Sequence, residues 1–247
     1  MDVLPHLQEP LKINYQRMKK ISEYSCEFCK DKSCAVAVLF PDELELLSGN
    51  CSEVEMKRGD TLFKAGSLTS HIVYLKSGLV KESLVGINKK EQIVQLIKAH
   101  SYLGLSSMLG YKTSYCSYVA LENLKVCYID TSVFKQLVQS NGKFAYEILI
   151  TVCRENLINY NRCVNKSFKQ MYGRLADALL YFSNIIYEKD TFDLPISQSD
   201  LAALISTTRE SVTRTFTKFR NEGIIELNGK TITILKRDLL EQISKTG

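Results

Sequence analysis

Histidine is scarce in this chain of 247 residues: His6, His71 and His100 are the three, and they are scattered. Scattered histidines of this kind read as surface or edge residues rather than ligands, and no His/Glu or Ser/His/Asp constellation surrounds them. A glycine-rich nucleotide loop is also missing, and so are the paired cysteine runs of a ferredoxin-type carrier. An enzyme is therefore not expected. An iron–sulfur redox protein, which would turn over a redox donor, is the alternative from that class. Long apolar runs are absent as well. The most apolar stretches, Ala178 to Phe182 and Ile148 to Cys153, fall far short of the roughly 20 residues a bilayer crossing needs. The start, Met1-Asp2-Val3-Leu4-Pro5-His6, has no basic opening followed by an apolar run, so no secretory signal is expected and the cytoplasm is the expected compartment. In that compartment the eight cysteines would stay mostly reduced. They read as core thiols, metal ligands or redox sites rather than a disulfide frame.

The hydrophobic content of 45% and the charged content of 24% suffice for a real core. A net charge of +5 is compatible with nucleic acid but is weak evidence alone. Residues 1–48 form a polar segment with a cysteine cluster, closing on a short helical pattern from Pro41 to Leu47. Pro41 suits the first helical turn, and Asp42 and Glu43 suit its positive end. Across 49–142, short β-branched and aromatic segments alternate with glycine, for example His71-Ile72-Val73-Tyr74-Leu75 and Leu124-Lys125-Val126-Cys127-Tyr128-Ile129. That texture reads as an all-β roll. Residues 143–168 lack glycine and proline over Lys143 to Ser167 and read as one long helix. One stripe on it is Ile148, Thr151, Glu155 and Ile158; a second, Leu149, Val152, Asn156, Asn159 and Cys163, keeps the alternating spacing of a coiled-coil seam. Packing on the β domain is the bland reading of both. The two amides favour a dimer seam, where they set register and weaken pairing.

Residues 169–247 read as a helix (Met171 to Tyr187), then two short helices and a hairpin. Ser197-Gln198-Ser199-Asp200 is a cap cluster opening a helix with Leu201, Leu204 and Ile205 on its apolar face. Ser206-Thr207-Thr208 interrupts it. A second helix then runs from Arg209 to Asn221 with Val212, Phe216 and Phe219 inward and Gly223 beyond its end. From Thr208 to Asn221 there are four cations, Arg209, Arg214, Lys218 and Arg220, against the single anion Glu210. Two short helices of this kind match the helix-turn-helix plan, whose second helix enters the major groove. Arg209, Glu210, Thr213 and Arg214 share one exposed face there; Arg can bond guanine O6 and N7, and Glu can accept from cytosine N4. The competing reading is an exposed helix with solvated charges and a Glu210–Arg214 pair. The caps, the turn and the hairpin Ile225 to Ile234 around Asn228-Gly229 weigh against it. Lys230 at the hairpin tip, with Thr208, Ser211, Ser197 and Ser199, is placed for phosphates. The fold class expected is α+β: an N-terminal double-stranded β-roll of jelly-roll type, a long helix, and a C-terminal winged helix-turn-helix.

Three motifs give this order a family. They are Arg58-Gly59-Asp60-Thr61-Leu62-Phe63-Lys64-Ala65-Gly66, Tyr74-Leu75-Lys76-Ser77-Gly78 and Thr208-Arg209-Glu210-Ser211-Val212-Thr213-Arg214. Together they make the chain resemble the Crp/Fnr family of bacterial transcription regulators over nearly its full length. The resemblance implies a homodimer joined by the long helix, each recognition helix reading half of a palindrome, with RNA polymerase as a further partner. Arg209, Glu210 and Arg214 match the residues with which the cyclic-AMP receptor branch reads a GTG core, whereas the Fnr branch generally lacks the first Arg. A GTG-containing half-site is the expectation.

The sensor looks different from that branch. Cyclic-AMP binders carry a Gly-Glu-Leu-Gly-like segment and an Arg-Ser pair on the cyclic phosphate; here the corresponding stretches read Ser101-Tyr102-Leu103-Gly104 and Ser114-Tyr115. A phosphate buried without that cation would keep its charge uncompensated, so cAMP is not expected. Cys26, Cys29 and Cys34, with Cys127 at the end of a roll strand, are similar to the ligand set of the oxygen-responsive Fnr branch. That resemblance implies a [4Fe–4S] cluster on those four thiolates. The Cys29-to-Cys34 loop, Lys30-Asp31-Lys32-Ser33, is one residue shorter than the branch pattern. Zinc, a thiol–disulfide switch, haem, or another small molecule in the roll are the competing inputs. Cys51, Cys116, Cys153 and Cys163 are expected to be ordinary buried thiols.

Overall fold

A computed structural model describes residues 26–247 other than 69, 87–89 and 112; the expectations for His6 and the chain start lie outside them. The chain forms two compact units. One holds the described residues up to 84 together with 96–153, and the other holds those of 85–95 together with 154–247.

The first unit carries the roll. One sheet runs β1 (Cys51–Met56), β8 (Leu124–Asp130), β3 (His71–Ser77), β6 (Ser101–Leu103); the other runs β2 (Thr61–Phe63), β7 (Ser117–Ala120), β4 (Leu79–Val85), β5 (Glu91–Lys98). Ile72, Val73, Tyr74 and Leu75 of β3 are all buried, because that strand lies inside its sheet and both faces are covered. This is why it reads as an unbroken apolar run rather than an alternating one. The register sets Tyr74 opposite Cys127 and Cys127 opposite Glu53. With a side-chain period of two, Cys51, Glu53, Cys127 and Tyr74 therefore share a face of the sheet.

Four helices accompany the roll: α1 (Cys34–Ala37), α2 (Pro41–Gly49), α3 (Leu105–Gly110) and α4 (Thr131–Ser140). Only α2 is legible as a pattern, with Pro41 in its first turn as expected. One turn of α1 is too short to show a period. The cap of α4, Asp130 accepting from the Ser132 amide at 2.7 Å, sits at the end of a strand and is masked by it. The long helix α5 spans Gly142–Phe168, within a residue or so of expectation. Its first turn is held by Asn141, whose Oδ1 accepts from the amides of Lys143 and Phe144, both at 3.0 Å. Asn141 Nδ2 in turn donates to Glu43 Oε2 of α2 at 2.7 Å. Asn141 is buried, so Asn141→Ala removes a cap, leaves two amides without their acceptor and takes one donor from Glu43, which keeps the Phe40 amide. A loss near the upper end of ~0.5–2 kcal/mol is expected, read as a fall in the thermal midpoint of roughly 2–4 °C per kcal/mol.

The second unit contains α6 (Met171–Tyr181), a wider π turn over Phe182–Tyr187, β9 (Thr191–Asp193), α7 (Gln198–Leu204), α8 (Arg209–Asn221), β10 (Ile225–Asn228), β11 (Thr231–Ile234) and α9 (Arg237–Thr246). Three features correct the sequence reading. The helix from Met171 changes its winding at Phe182 instead of continuing regularly to Tyr187. The hairpin gains a third strand, β9, on the β11 edge; with only Phe192 inward, three residues give no pattern. A last helix, α9, follows the hairpin, burying Leu240 and tying Arg237 to Asp190 and Asn184.

Candidate nucleic-acid interface and thiol basin

The reading head is built as its sequence dictates. Ser197 caps α7 in a reciprocal box: its hydroxyl accepts from the Asp200 amide at 3.0 Å and donates to Asp200 Oδ2 at 2.7 Å. Ser206 takes a positive φ of 56° in the turn. Thr208 then caps α8 by accepting from the Ser211 amide at 3.2 Å. Val212, Thr215, Phe216 and Phe219 are buried, which turns Arg209, Glu210, Thr213 and Arg214 outward together. Gly223, with φ of 63°, ends the helix, a conformation a side chain would strain. The Glu210 carboxyl is held below its usual range by its own backbone amide, the Thr208 hydroxyl, and Arg209 and Arg214, so it is an acceptor at any working pH.

Not every sequence-chosen residue is equally free. The Thr213 hydroxyl donates to Gln198 Oε1 at 2.9 Å and to the Arg209 carbonyl at 3.0 Å, which leaves its methyl for a base. The hydroxyls of Ser197, Thr208 and Ser211 serve caps or one another. Ser199 and Lys230 are exposed. The hairpin turn is centred on Gly229 and Lys230, with Asn228 still paired to Thr231, one position later than the Asn-Gly reading; Gly229 supplies the positive φ, 62°. The second inward hydroxyl, Thr215, bonding the Ser211 carbonyl at 2.9 Å, was missed because it sits in an otherwise apolar row.

The first unit gathers thiols. Cys127 stands in the middle of β8, not at its end, and shares its face with Cys51 of β1. Cys51, with Ser48, Lys76 and Lys32, works against burial to lower the Cys26 thiol to about 6. Cys51 lowers Cys127 as well, while its own thiol is pushed up by both neighbours and by burial. Lys76 reaches the basin from β3, 2.5 Å from Glu53 Oε2 and 4.0 Å from Asp31 Oδ2, and takes a hydrogen bond with Cys29. Burial opposes its charge, but Glu53, Cys127 and Cys29 outweigh that and raise its pKa. Cys34 opens α1 on the exposed side, within electrostatic reach of the Tyr74 hydroxyl along with Cys29. Among the described residues no three Cys, His, Asp or Glu side chains close on one coordination point.

Cys26, Cys29 and Cys127 are thus each within electrostatic reach of Lys76, with Cys34 on the exposed side, and Cys51 lies on the Cys127 face. Its expected role as an ordinary core thiol is corrected: a period-two position on β1 puts it on the Cys127 face. Cys116 alone of the remaining three is buried, beside Glu82. Cys153 and Cys163 are exposed on α5, because no described residue covers them. There Leu149, Leu157, Tyr160, Val164 and Phe168 are also exposed, with Asn156 and Asn159 exposed and Val152 half-buried along the predicted seam, while Ile158 is exposed on the other stripe. In the roll, Glu82 is 8% exposed and accepts from the Tyr118 hydroxyl at 2.8 Å, while Tyr115 points outward. No helix among the described residues is long and apolar enough to cross a membrane.

Comparison with known proteins agrees on both units. Residues 53–141 match the cyclic nucleotide-binding domain and residues 173–243 the Crp-like helix-turn-helix domain. The transcriptional activator protein FnrA of Stutzerimonas stutzeri is 27% identical over 184 residues, 73% of this chain and 75% of that protein. The fumarate and nitrate reduction regulatory protein of Escherichia coli K12 is 25% identical over 239 residues, 92% of this chain and 94% of that one. Among solved structures, FixK2 from Bradyrhizobium japonicum superposes with a TM-score of 0.72 at 16% identity, covering 80% of this chain and 98% of its own. A β-roll, a 27-residue helix and a capped, basic helix-turn-helix with its wing, matched at both ends, make this chain a non-enzymatic DNA-binding transcription regulator of the Crp/Fnr family.

Proposed function

We propose that the chain is a homodimeric regulator of the Fnr kind, acting in the cytoplasm, and that its DNA binding is controlled by a [4Fe–4S] cluster held by Cys26, Cys29, Cys34 and Cys127. The observation that carries this is the convergence of Cys26, Cys29 and Cys127 around Lys76, with Cys34 across from Tyr74. The chemistry of the donor set fits, with four thiols, which such a cluster requires, and a lysine to offset thiolate charge, although the four would have to draw closer to share one cluster. When bound, the cluster supplies oxygen-labile iron–thiolate bonds.

The chain's own residues connect that basin to α5. Ser33, which caps α1 just before Cys34, meets the Tyr102 hydroxyl at 2.7 Å in a buried hydrogen bond. Tyr102 packs edge-on against Phe134, and Phe134 against Phe144 in the first turn of α5, with ring centroids 5.8 and 5.3 Å apart. Glu43 and Asn141 make a second link to the same turn. Order in the cysteine segment therefore bears on the N-terminal turn of the helix proposed to join two copies. RNA polymerase is the further partner of the assembled regulator.

The test is a mobility shift on a palindrome with two GTG half-sites, using full-length protein kept anaerobic or exposed to air, with iron and sulfide counted on the same samples. Binding should track cluster content. Zinc without iron, or a shift indifferent to air, overturns the reading. Dimerisation has its own check. Asn159→Leu replaces an exposed amide on α5 with an apolar group, which in a seam gains burial and loses amide desolvation. Sedimentation should show the metal-free variant dimerising about tenfold more tightly for each 1.4 kcal/mol gained, with DNA binding less dependent on the cluster. Metal-free native protein already fully dimeric at nanomolar concentration would contradict this.

A further inference from the structure

We infer that Gln198, a residue of the supporting helix, is a specificity-determining residue: anchored through Thr213, its side-chain amide presents N–H donors to the middle base pair of the half-site, where with the Thr213 methyl it selects thymine. The inference rests on the proposed GTG half-site for the identity of that base, and not for the role of Gln198.

The geometry brings a side chain of α7 onto the reading face of α8. Gln198 is the first residue of α7, half-buried, and lies 15 residues before Thr213 in the chain. Its Oε1 accepts from the Thr213 hydroxyl at 2.9 Å. Thr213 is exposed on the face it shares with Arg209, Glu210 and Arg214, the face that enters the major groove. The same hydroxyl reaches the Arg209 carbonyl at 3.0 Å, so the methyl on the same carbon is held beside the amide. The bond also fixes how the amide is turned. With Oε1 toward Thr213, Nε2 points away from it and carries two N–H donors. Among the described residues nothing accepts from them.

An amide held in this way reads fewer bases than a free one. The bidentate pairing of Gln with adenine needs its oxygen for N6 and its nitrogen for N7. Here the oxygen is occupied, so the group acts as a donor alone and fits thymine O4, guanine O6 or N7, or adenine N7. Thymine sets an acceptor, O4, next to the C5 methyl, and Gln198 with Thr213 sets an N–H next to a methyl. Cytosine carries the N4 donor in place of O4, which would meet the amide donor to donor. Thymine over cytosine is the choice this pair makes.

The experiment is a randomised-site selection with full-length anaerobic protein, followed by affinities on half-sites carrying thymine or cytosine in the middle. Native protein should prefer thymine by about tenfold, the scale of one hydrogen bond. Gln198→Ala should lose most of that preference. Gln198→Glu keeps an acceptor for Thr213 but replaces the donors with an acceptor, so its preference should move toward cytosine, whose N4 donates. Neither change touches the Ser197 cap or the buried Leu201 and Ala202 of α7, and matching thermal midpoints check that the fold is kept. Thr213→Val retains a methyl and removes the anchoring hydroxyl, and its effect should not add to that of Gln198→Ala. Gln198→Ala that weakens every sequence alike, with the middle preference intact, overturns the inference and assigns the amide to a phosphate. Strict additivity with Thr213→Val overturns it as well. A GTG consensus indifferent to both Gln198 variants sinks this inference and leaves the half-site reading standing. A different consensus, in which Gln198→Glu still moves one position toward a base with an exocyclic amine, sustains the role of Gln198 and sinks the GTG reading instead.

Discussion

Serine at Cys26, Cys29, Cys34 or Cys127 is expected to leave anaerobically prepared protein colourless, while serine at Cys51, Cys153 or Cys163 leaves it brown with about four irons per chain. The expected contrast is all or none. A hydroxyl is a hard, weakly acidic donor and does not replace a thiolate on iron, whereas Cys153 and Cys163 are exposed on α5. Cys34 is the demanding case, since it is exposed at the head of α1 and its loop from Cys29 is short. If Cys34→Ser keeps full iron while the other three lose it, the ligand set must be drawn without Cys34. Iron and sulfide analysis with the visible spectrum, before and after air, settles each variant. Zinc in place of iron throughout would remove the cluster from the account altogether.

What could be seen in the sequence followed from interactions local to it. The caps at Ser197 and Thr208, the apolar row Val212, Phe216 and Phe219, and the glycine at 223 are all set within a few residues of one another, and the structure repeats them. The thiol basin was half legible. Cys26, Cys29 and Cys34 are neighbours in the chain, but the place of Cys51 depends on a strand register. Cys51 meets Cys127 only because β1 and β8 pair with Glu53 opposite Cys127. No spacing within β1 announces that. Asn141 is a similar case. An Asn before a long helix is a visible cap signal, yet its link to Glu43 across 98 residues exists only in the folded unit. The exposure of Cys153 and Cys163 differs from expectation for another reason: apolar content predicts burial somewhere, and on α5 none of the described residues of a single copy provides it.

At the reading head, Arg209→Ala is expected to weaken binding to a GTG-containing site by about 1–3 kcal/mol, roughly 5- to 150-fold, and to relax preference at the outer guanine alone. Arg209 opens α8 with an exposed side chain, and its carbonyl, which accepts from Thr213, is kept in alanine, so the substitution should not disturb the fold. Glu210 and Arg214 remain to read the rest of the half-site, with the Thr213 methyl at the middle base pair. The control must be chosen with the caps in mind. Thr208→Ala would remove the hydroxyl that receives the Ser211 amide and fray the helix, mixing folding with contact. Lys230, exposed in the hairpin turn, has no such duty. Lys230→Ala should weaken binding to every sequence alike and lower the salt slope by about one. A randomised-site selection on the native protein and both variants, with affinities at two salt concentrations, separates these effects. Arg209 does not read the base if the native consensus lacks guanine at the outer position, or if Arg209→Ala keeps that preference and merely flattens the salt dependence as Lys230→Ala does. In that event Arg209 belongs with the phosphate contacts, and the half-site is read by Glu210 and Arg214 alone.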